Sequence, residues 1–433
     1  MENLGTSDRP LRVAIVGSGP SSFYAAEALF KGNYTVQVDM FERLPVPFGL
    51  VRNGVAPDHA KIKNVIKVYE KIASNPSFRF LGNVNIGTSL QVDELKTFYD
   101  AIIFACGAST DRRLGIPGED LARSYTATEF VAWYNGHTDY RNHPFDLSQE
   151  TAVIIGQGNV AIDVCRILAK TYDELKSTDI AQHALKALAE SKVKDIYMVG
   201  RRGPAQAAFT TMEIKEMGEL SDTDVIVRAE DLELNPASVE ELTHTDKLYN
   251  RRNYEILKEM STQSLTAKSR RLHILFFRGP KELCGTEGVE SVILEKNRLE
   301  GLPGKQKAVG MGEYETLSCG LLFRSVGYRG VSIPGVPFHE SWGVFPNEKG
   351  HIQGIDGMFA VGWIKRGPSG VIGTNKPDSY ETVEQILGNI SSLAPCLNPS
   401  TEALLHLLIE RNVQVVSFAD WHKIDSVEIA RGQ

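Results

Sequence analysis

Residues 152–170 read AVIIGQGNVAIDVCRILAK, and residues 12–31 have already read RVAIVGSGPSSFYAAEALFK. Each is a short apolar strand, then Gly-x-Gly, then an amphipathic run of helical period. In such a unit the first glycine permits a tight turn and the second lets a pyrophosphate approach the backbone. The helix N-terminus adds free N–H groups and a positive dipole end. The first copy supplies Gly17 and Gly19, with Ser22 at the third position, small enough for close packing of helix on strand. The second supplies Gly156 and Gly158, with Ala161.

The next strand after each turn ends in a different charge. The strand VQVDMFE (36–42) ends in Glu42, 20 residues past Ser22, where an acid accepts hydrogen bonds from a ribose diol. The strand after the second turn, in VKDIYMVGRRGP (193–204), ends in Gly200, Arg201 and Arg202. Two guanidiniums there suit a ribose 2′-phosphate through bidentate, charge-assisted bonds. Arg201 lies 40 residues past Ala161, so an extra helix must intervene in TDIAQHALKALAES. One acid-ended unit and one arginine-ended unit point to a resident FAD and a visiting NADPH.

The order of these pieces predicts an α/β fold of two Rossmann-like dinucleotide-binding domains, the NADP domain inserted within the FAD domain. Residues 1–108 and 327–433 form the expected FAD-binding domain, and 109–326 the expected NADP-binding domain. Strands are expected at FYDAIIFACGA (98–108), LHILFFR, VESVILEKN and CGLLFRSVGY (319–328). Residues 204–280 read as charged and mostly helical. The stretch GMFAVGWIKRGPSGVIGT (357–374) reads as strand, loop and a glycine-rich start for the helix in DSYETVEQILGNI.

At 433 residues the chain exceeds one ordinary core, in keeping with two domains. A net charge of −7 argues against wholesale nucleic-acid binding. No apolar run reaches the roughly 18 residues needed to span a bilayer. The opening MENLGTSDRP has neither the apolar core of a signal peptide nor the character of an intact transit peptide, leaving a cytoplasmic protein or a mature organellar form. The five cysteines come no closer than the 35 positions between Cys284 and Cys319, so no zinc or iron–sulfur spacing exists and no metal site is expected.

Several longer stretches carry a resemblance: VGSGPSSFYAAEAL, LPVPFGLVRNGVAPDHAKIKNVI, GNVNIG, GQGNVAIDV, VGRRGPAQAAFTTMEIKEM and GWIKRGPSGVIGT. From about residue 10 to its end the chain resembles the adrenodoxin reductase family of NADPH–ferredoxin reductases, among the glutathione-reductase-like flavoproteins. The resemblance implies FAD contacts at Ser21, Glu42, Leu50, Ile86 and Trp363, and at the backbone of Gly370, Val371 and Ile372. It implies NADP contacts at Gln157, Gly158, Asn159, Val160, Arg201, Arg202, Glu213 and Gly370. It places His59 and Asp163 near the flavin and its water network, where they tune proton balance. Ser21 stands where alanine is more usual in the family, a small change.

The implied reaction is hydride transfer from nicotinamide C4 to flavin N5, then single-electron delivery to a 2Fe-2S ferredoxin or adrenodoxin-type protein. Such an electron-transport step would supply monooxygenase or iron–sulfur cluster assembly chains. Because such ferredoxins are acidic, a local basic face is expected, at Lys215, Arg251 and Arg252; Lys63, Lys67 and Lys71 form a second helical stripe. Lys215 replaces a family arginine. The family points to the mitochondrial matrix first and bacterial-type cytoplasm second, and a monomer suffices. A disulfide oxidoreductase would need C-x-x-C or C-x4-C beside the flavin, and neither spacing is present. A glutamate-synthase-like electron-input subunit would need an iron–sulfur cysteine segment. A flavin monooxygenase would need an oxygen-activating pocket, for which no motif is seen. A sensor that binds NADP without turnover would not need both glycine turns together with Trp363 and Gly370.

Overall fold

The computed structural model describes residues 4–432. These fall into two compact units. One comprises the chain through Val55, Lys61–Thr110 and the chain from Tyr328; the other comprises Ala56–Ala60 and Asp111–Gly327. Five residues embedded in the sequence of the first unit, Ala56–Ala60, are thus built into the second.

The first unit is a seven-stranded sheet. From one edge its order is Asn347–Glu348, His351–Ile352, Met358–Ala360, Ala101–Phe104, Leu11–Val16, Val36–Glu42 and Phe78–Gly82. The last five run parallel, with Val16 opposite both Phe41 and Phe104. Alternate residues of Leu11–Val16 feed two cores: Leu11, Val13 and Ile15 on one face, Ala14 and Val16 on the other. That is the mark of a strand covered on both sides, and it explains why the whole strand is apolar but for Arg12. Its neighbours leave it in opposite chain directions, which makes its carboxyl end a topological switch point where such sheets bind ligands.

The second unit repeats the design. Its six-stranded sheet has the order Ser124–Thr126, Leu321–Arg324, Thr151–Ile155, Asp195–Val199, Arg270–Leu275 and Thr223–Val227, all parallel. The strand expected beside Thr151–Ile155 does pair with it, Ile155 opposite Val199. Between them lie the short helix Tyr172–Leu175 and the helix Gln182–Ala189, which account for the long interval before Arg201. Two features depart from the sequence reading. Thr223–Val227 is a strand inside the stretch read as mostly helical, and Arg278–Cys284, Ser291–Glu300 and Lys307–Ser318 form an antiparallel three-stranded sheet of which only the middle strand was expected.

Candidate cofactor sites and a buried charge cluster

In the first unit Gly17 sits at φ 108, and its N–H donates to the Phe41 carbonyl at 2.8 Å. A Cβ there would stand 2.5 Å from the Ala105 carbonyl oxygen, so neighbouring strands leave no room for any side chain. Gly19, which starts the helix Pro20–Lys31, is the reverse: a Cβ on it would meet nothing within 4 Å. That open backbone, at a helix N-terminus and a switch point, is the cradle a pyrophosphate fills. Glu42 lies at the lip. Its carboxylate accepts from Ser18 N–H at 3.1 Å, Ser18 Oγ at 2.7 Å and Leu44 N–H at 3.0 Å. Burial pushes its pKa up, and the Ser18 bond pulls against that. The two Ser18 bonds fill Oε2, while Oε1, bonded only by Leu44, keeps a lone pair for a ribose hydroxyl.

The other expected FAD residues of this unit have definite places. Ser21 is buried, and a Cβ on Gly362 would fall 2.5 Å from its Oγ, so serine and glycine are matched. Leu50 opens the short helix Leu50–Asn53, and Ile86 is buried in the core. Trp363 donates Nε1–H to the Ser369 carbonyl at 3.1 Å, its ring 5.3 Å from that of Tyr328. Gly370 turns at φ 80, followed by Val371 at 62% exposure and Ile372, just before the helix Asn375–Gly388. An exposed valine beside a glycine turn is a surface that a flat apolar ring would cover, and the set as a whole fits FAD.

The second unit has the same geometry. Gly156, at φ 139, donates its N–H to Val199 at 2.9 Å, and a Cβ would lie 2.1 Å from the Ser325 carbonyl oxygen. Gly158 again opens to empty space at the start of the helix Asn159–Ala169. Gln157 donates Nε2–H to the Leu275 carbonyl at 2.9 Å, and its side chain fills the place of a Cβ on Gly200. Asn159 Oδ1 accepts the Thr210 N–H at 2.8 Å, tying the cradle to the start of the helix Thr211–Met217. Val160 is half-buried beside it. Arg201 and Arg202 are both exposed, and no carboxylate among the described residues forms an ion pair with either. Partial withdrawal from water and the like charge of Arg201 lower the pKa of Arg202. Two adjacent guanidiniums without an ion pair among the described residues, next to an open phosphate cradle, fit the extra phosphate of NADP.

The three residues expected to act on protons meet around one that sequence reasoning missed. Arg166 is 1% exposed. Its guanidinium holds Asp58 through Nε at 2.7 Å and Nη2 at 3.0 Å, Asp163 at 2.6 Å and Glu213 at 2.9 Å. Lys170 reaches the same Asp58 at 2.6 Å. His59 Nε2 lies 2.8 Å from Glu216, and its Nδ1 lies 3.9 Å from Glu213. Burial raises Asp163, with Arg166 opposing it. Burial and then the charge of Asp163 push Glu213 up to about 7. Asp58 goes the other way, held well below the carboxylate range by Arg166 and Lys170 against its burial. Four carboxylates thus share two permanent cations, and that shortage of positive charge adds to burial in favouring a proton on Glu213. His59, Glu213 and Glu216 bring ligand atoms within 4.8 Å of one another, but the Arg166 guanidinium already supplies positive charge at Glu213 and, at 3.7 Å, beside Glu216.

The signal for Arg166 was present: AIDVCRILA is a buried apolar run broken only by Asp163 and Arg166, three apart on one helix face. Asp58 and Glu216 carried no comparable signal, because their burial is set by chain segments far away in sequence. The described cysteines are all free, and burial pushes Cys106 and Cys319 up to about 12 and Cys396 to about 11, away from thiolate chemistry.

Comparison with known proteins agrees with this fold. The sequence model of a family described as pyridine nucleotide-disulphide oxidoreductase matches residues 11–202. A Mycobacterium tuberculosis protein named NADPH-ferredoxin reductase FprA is 45% identical over 442 residues, covering 98% of this chain and 95% of that protein. The Arabidopsis thaliana protein named NADPH:adrenodoxin oxidoreductase, mitochondrial, is 42% identical over 446 residues, covering 98% and 92%. The solved structure of Mycobacterium tuberculosis FprA in complex with NADPH has a TM-score of 0.93 at 42% identity, covering 98% of this chain and 95% of that one. With near-complete coverage at this identity, and both glycine turns in place, the chain belongs to the family of NADPH–ferredoxin and adrenodoxin reductases.

Proposed function

We propose that the protein is an FAD-dependent NADPH:ferredoxin oxidoreductase. The observation that carries this is the contrast between its two open cradles, one lipped by Glu42 and the other by Arg201 and Arg202, which form no ion pair among the described residues. Gly17, Gly19, Ser21, Glu42, Leu50, Ile86, Trp363, Gly370, Val371 and Ile372 would hold FAD in the first unit. Gln157 to Val160 with Arg201 and Arg202 would hold NADP(H) in the second. Bound FAD supplies the redox chemistry, taking two electrons from NADPH and releasing them singly. The protein's part is to bind, orient and manage protons. Gly158 and the helix behind it fix the pyrophosphate, the two arginines select the 2′-phosphate, and Glu213 keeps a proton within reach of Asp163 and His59.

The partner is a small acidic 2Fe-2S protein. Lys215 and Arg252 are exposed and would meet it directly, while Arg251 is half-buried and donates Nε–H to the Leu242 carbonyl at 2.9 Å. No helix among the described residues is long and apolar enough to cross a membrane. A mitochondrial location, with the matrix as the expected compartment, is supported by relatives whose names carry the word mitochondrial. The similar Mycobacterium proteins support work in a cytoplasm, and cell fractionation distinguishes the two. A monomer is the simplest state, tested by light scattering.

The decisive experiment is anaerobic stopped-flow absorbance. The yellow protein should bleach rapidly with NADPH, much more slowly with NADH, and then reduce an oxidised 2Fe-2S ferredoxin. Bleaching without ferredoxin reduction would point to a different acceptor. Absence of flavin would overturn the assignment of the first cradle.

A further inference from the structure

Phe48 is the backbone outlier of the first unit that its local sequence does least to explain. It sits at φ 84, a region that bulky residues avoid, yet its side chain is 1% exposed. The residue after it, Gly49, is pressed so closely on the first cradle that a Cβ would stand 2.9 Å from Gly19 Cα. The Phe48 N–H donates to the Ser18 carbonyl at 3.0 Å. The strained turn is therefore the floor against which Ser18 and Gly19 rest.

Strain of this kind persists only where the surroundings over-determine it. Here the determinant comes from the other end of the chain. Ser417 begins the C-terminal helix Phe418–Gly432 by exchange with Asp420: its Oγ accepts the Asp420 N–H at 3.2 Å, and its N–H donates to the Asp420 carboxylate at 3.2 Å. Just before it, Val416 and Gly82 exchange two backbone bonds of 2.8 and 3.0 Å, fixing the helix at the sheet edge. The helix then presents Trp421, 2% exposed, edge-on to the Phe48 ring at 5.9 Å, with Phe418 edge-on at 6.3 Å. Phe23 and Tyr69 close the other sides. On the far side of Gly49, Arg52 lies over the Trp421 ring at 4.8 Å and pairs with Glu428 of the same helix at 2.5 Å. The helix thus grips both flanks of Gly49.

We propose that Trp421 is a positioning residue for the flavin: by holding Phe48 in its strained turn, it keeps Gly49 against Ser18–Gly19 and so keeps the pyrophosphate cradle in shape. This rests on the assignment of FAD to the first unit. With the indole gone, Phe48 relaxes toward ordinary backbone angles, Gly49 moves, and the cradle loses its floor.

The test is the rate at which FAD leaves the holoenzyme after dilution, followed by flavin fluorescence, alongside the melting temperature. Trp421→Ala should release FAD about tenfold faster or more, as relief of one strained residue allows, and Trp421→Phe should restore slow release. Gly49→Ala, which attacks the same contact from the opposite side, should also speed release. Ile386→Ala removes buried side chain from the same unit on another helix, and should lower the melting temperature with little change in release. If Trp421→Ala speeds release no more than Ile386→Ala at equal loss of melting temperature, the helix is mere packing and the proposal fails. If the wild-type protein retains no FAD, the flavin assignment fails and the proposal with it.

Discussion

The phosphate-reading role proposed for Arg201 and Arg202 rests on neither forming an ion pair among the described residues. An arginine already paired would give up that pairing to take a phosphate; these two relieve mutual repulsion when one arrives. Hydrogen bonds to charged groups contribute about 1.5–3 kcal/mol each, so Arg201→Ala with Arg202→Ala should weaken NADP+ binding by at least roughly 100-fold. Affinity for NAD+ should change little, as titration of both nucleotides would reveal. Glu213 makes a different residue-scale prediction. Its pKa of about 7 in the folded state lies above the ordinary carboxylate value of 4.5. Between those two pH values the native protein binds more protons than the unfolded chain, so stability from this group is full at low pH and lost as pH rises toward and through 7. Glu213→Gln removes that loss. Its melting temperature relative to wild type should climb between pH 5 and pH 8, by an amount of order 1–3 kcal/mol in stability. A difference independent of pH would mean that Glu213 is ionised throughout.

Among the elements, the helix Asn159–Ala169 serves two ends at once. Its N-terminus forms the proposed nucleotide cradle, and its buried face carries Arg166 to Asp58 and to the helix Thr211–Met217. Removing one partner of a buried ionic cluster costs about 3–5 kcal/mol, because the remaining charges stay desolvated. Arg166→Met should therefore lower the melting temperature steeply at pH 8 and less at pH 5, where the stranded carboxylates take up protons; thermal melts across that range check it. Arg166→Lys should recover only part, since one ammonium cannot reach three carboxylates in a plane. This element also shows what sequence reading reaches. Gly17, Gly19, Gly156 and Gly158 were legible because strand, turn and helix are contiguous and each glycine has a local steric reason. The places of Glu42 and Arg201 at strand ends were legible for the same cause, one strand further on. Asp58 and Glu216 were not, since a surface-looking acid becomes a buried ligand only when distant segments close over it. The strand Thr223–Val227 was hidden by the charged helices on either side of it, and the edge strand Lys307–Ser318 by its exposed glycines and acids.

For the whole molecule the question is how a chain of net charge −7 would capture the acidic partner proposed above. Long-range repulsion between the two net charges is screened beyond about 10 Å at 0.1 M salt, so encounter depends on local sign rather than total charge. Lys215 and Arg252 are exposed and form no ion pair within the described residues, so neither is neutralised by a direct neighbour. Electrostatic steering of this kind changes the association rate more than the subsequent chemistry. Lys215→Glu combined with Arg252→Glu should therefore slow ferredoxin reduction by about tenfold at low ionic strength. At saturating NADPH the flavin should still bleach at its wild-type rate, because that step needs no docked protein. Raising salt should slow wild-type ferredoxin reduction until it converges with the variant near roughly 0.5 M, where the screening length falls to a few ångströms. Stopped-flow traces at matched salt concentrations resolve both phases in one experiment. Equal salt dependence in variant and wild type would place the docking face elsewhere, with the stripe of Lys67 and Lys71 next to be reversed.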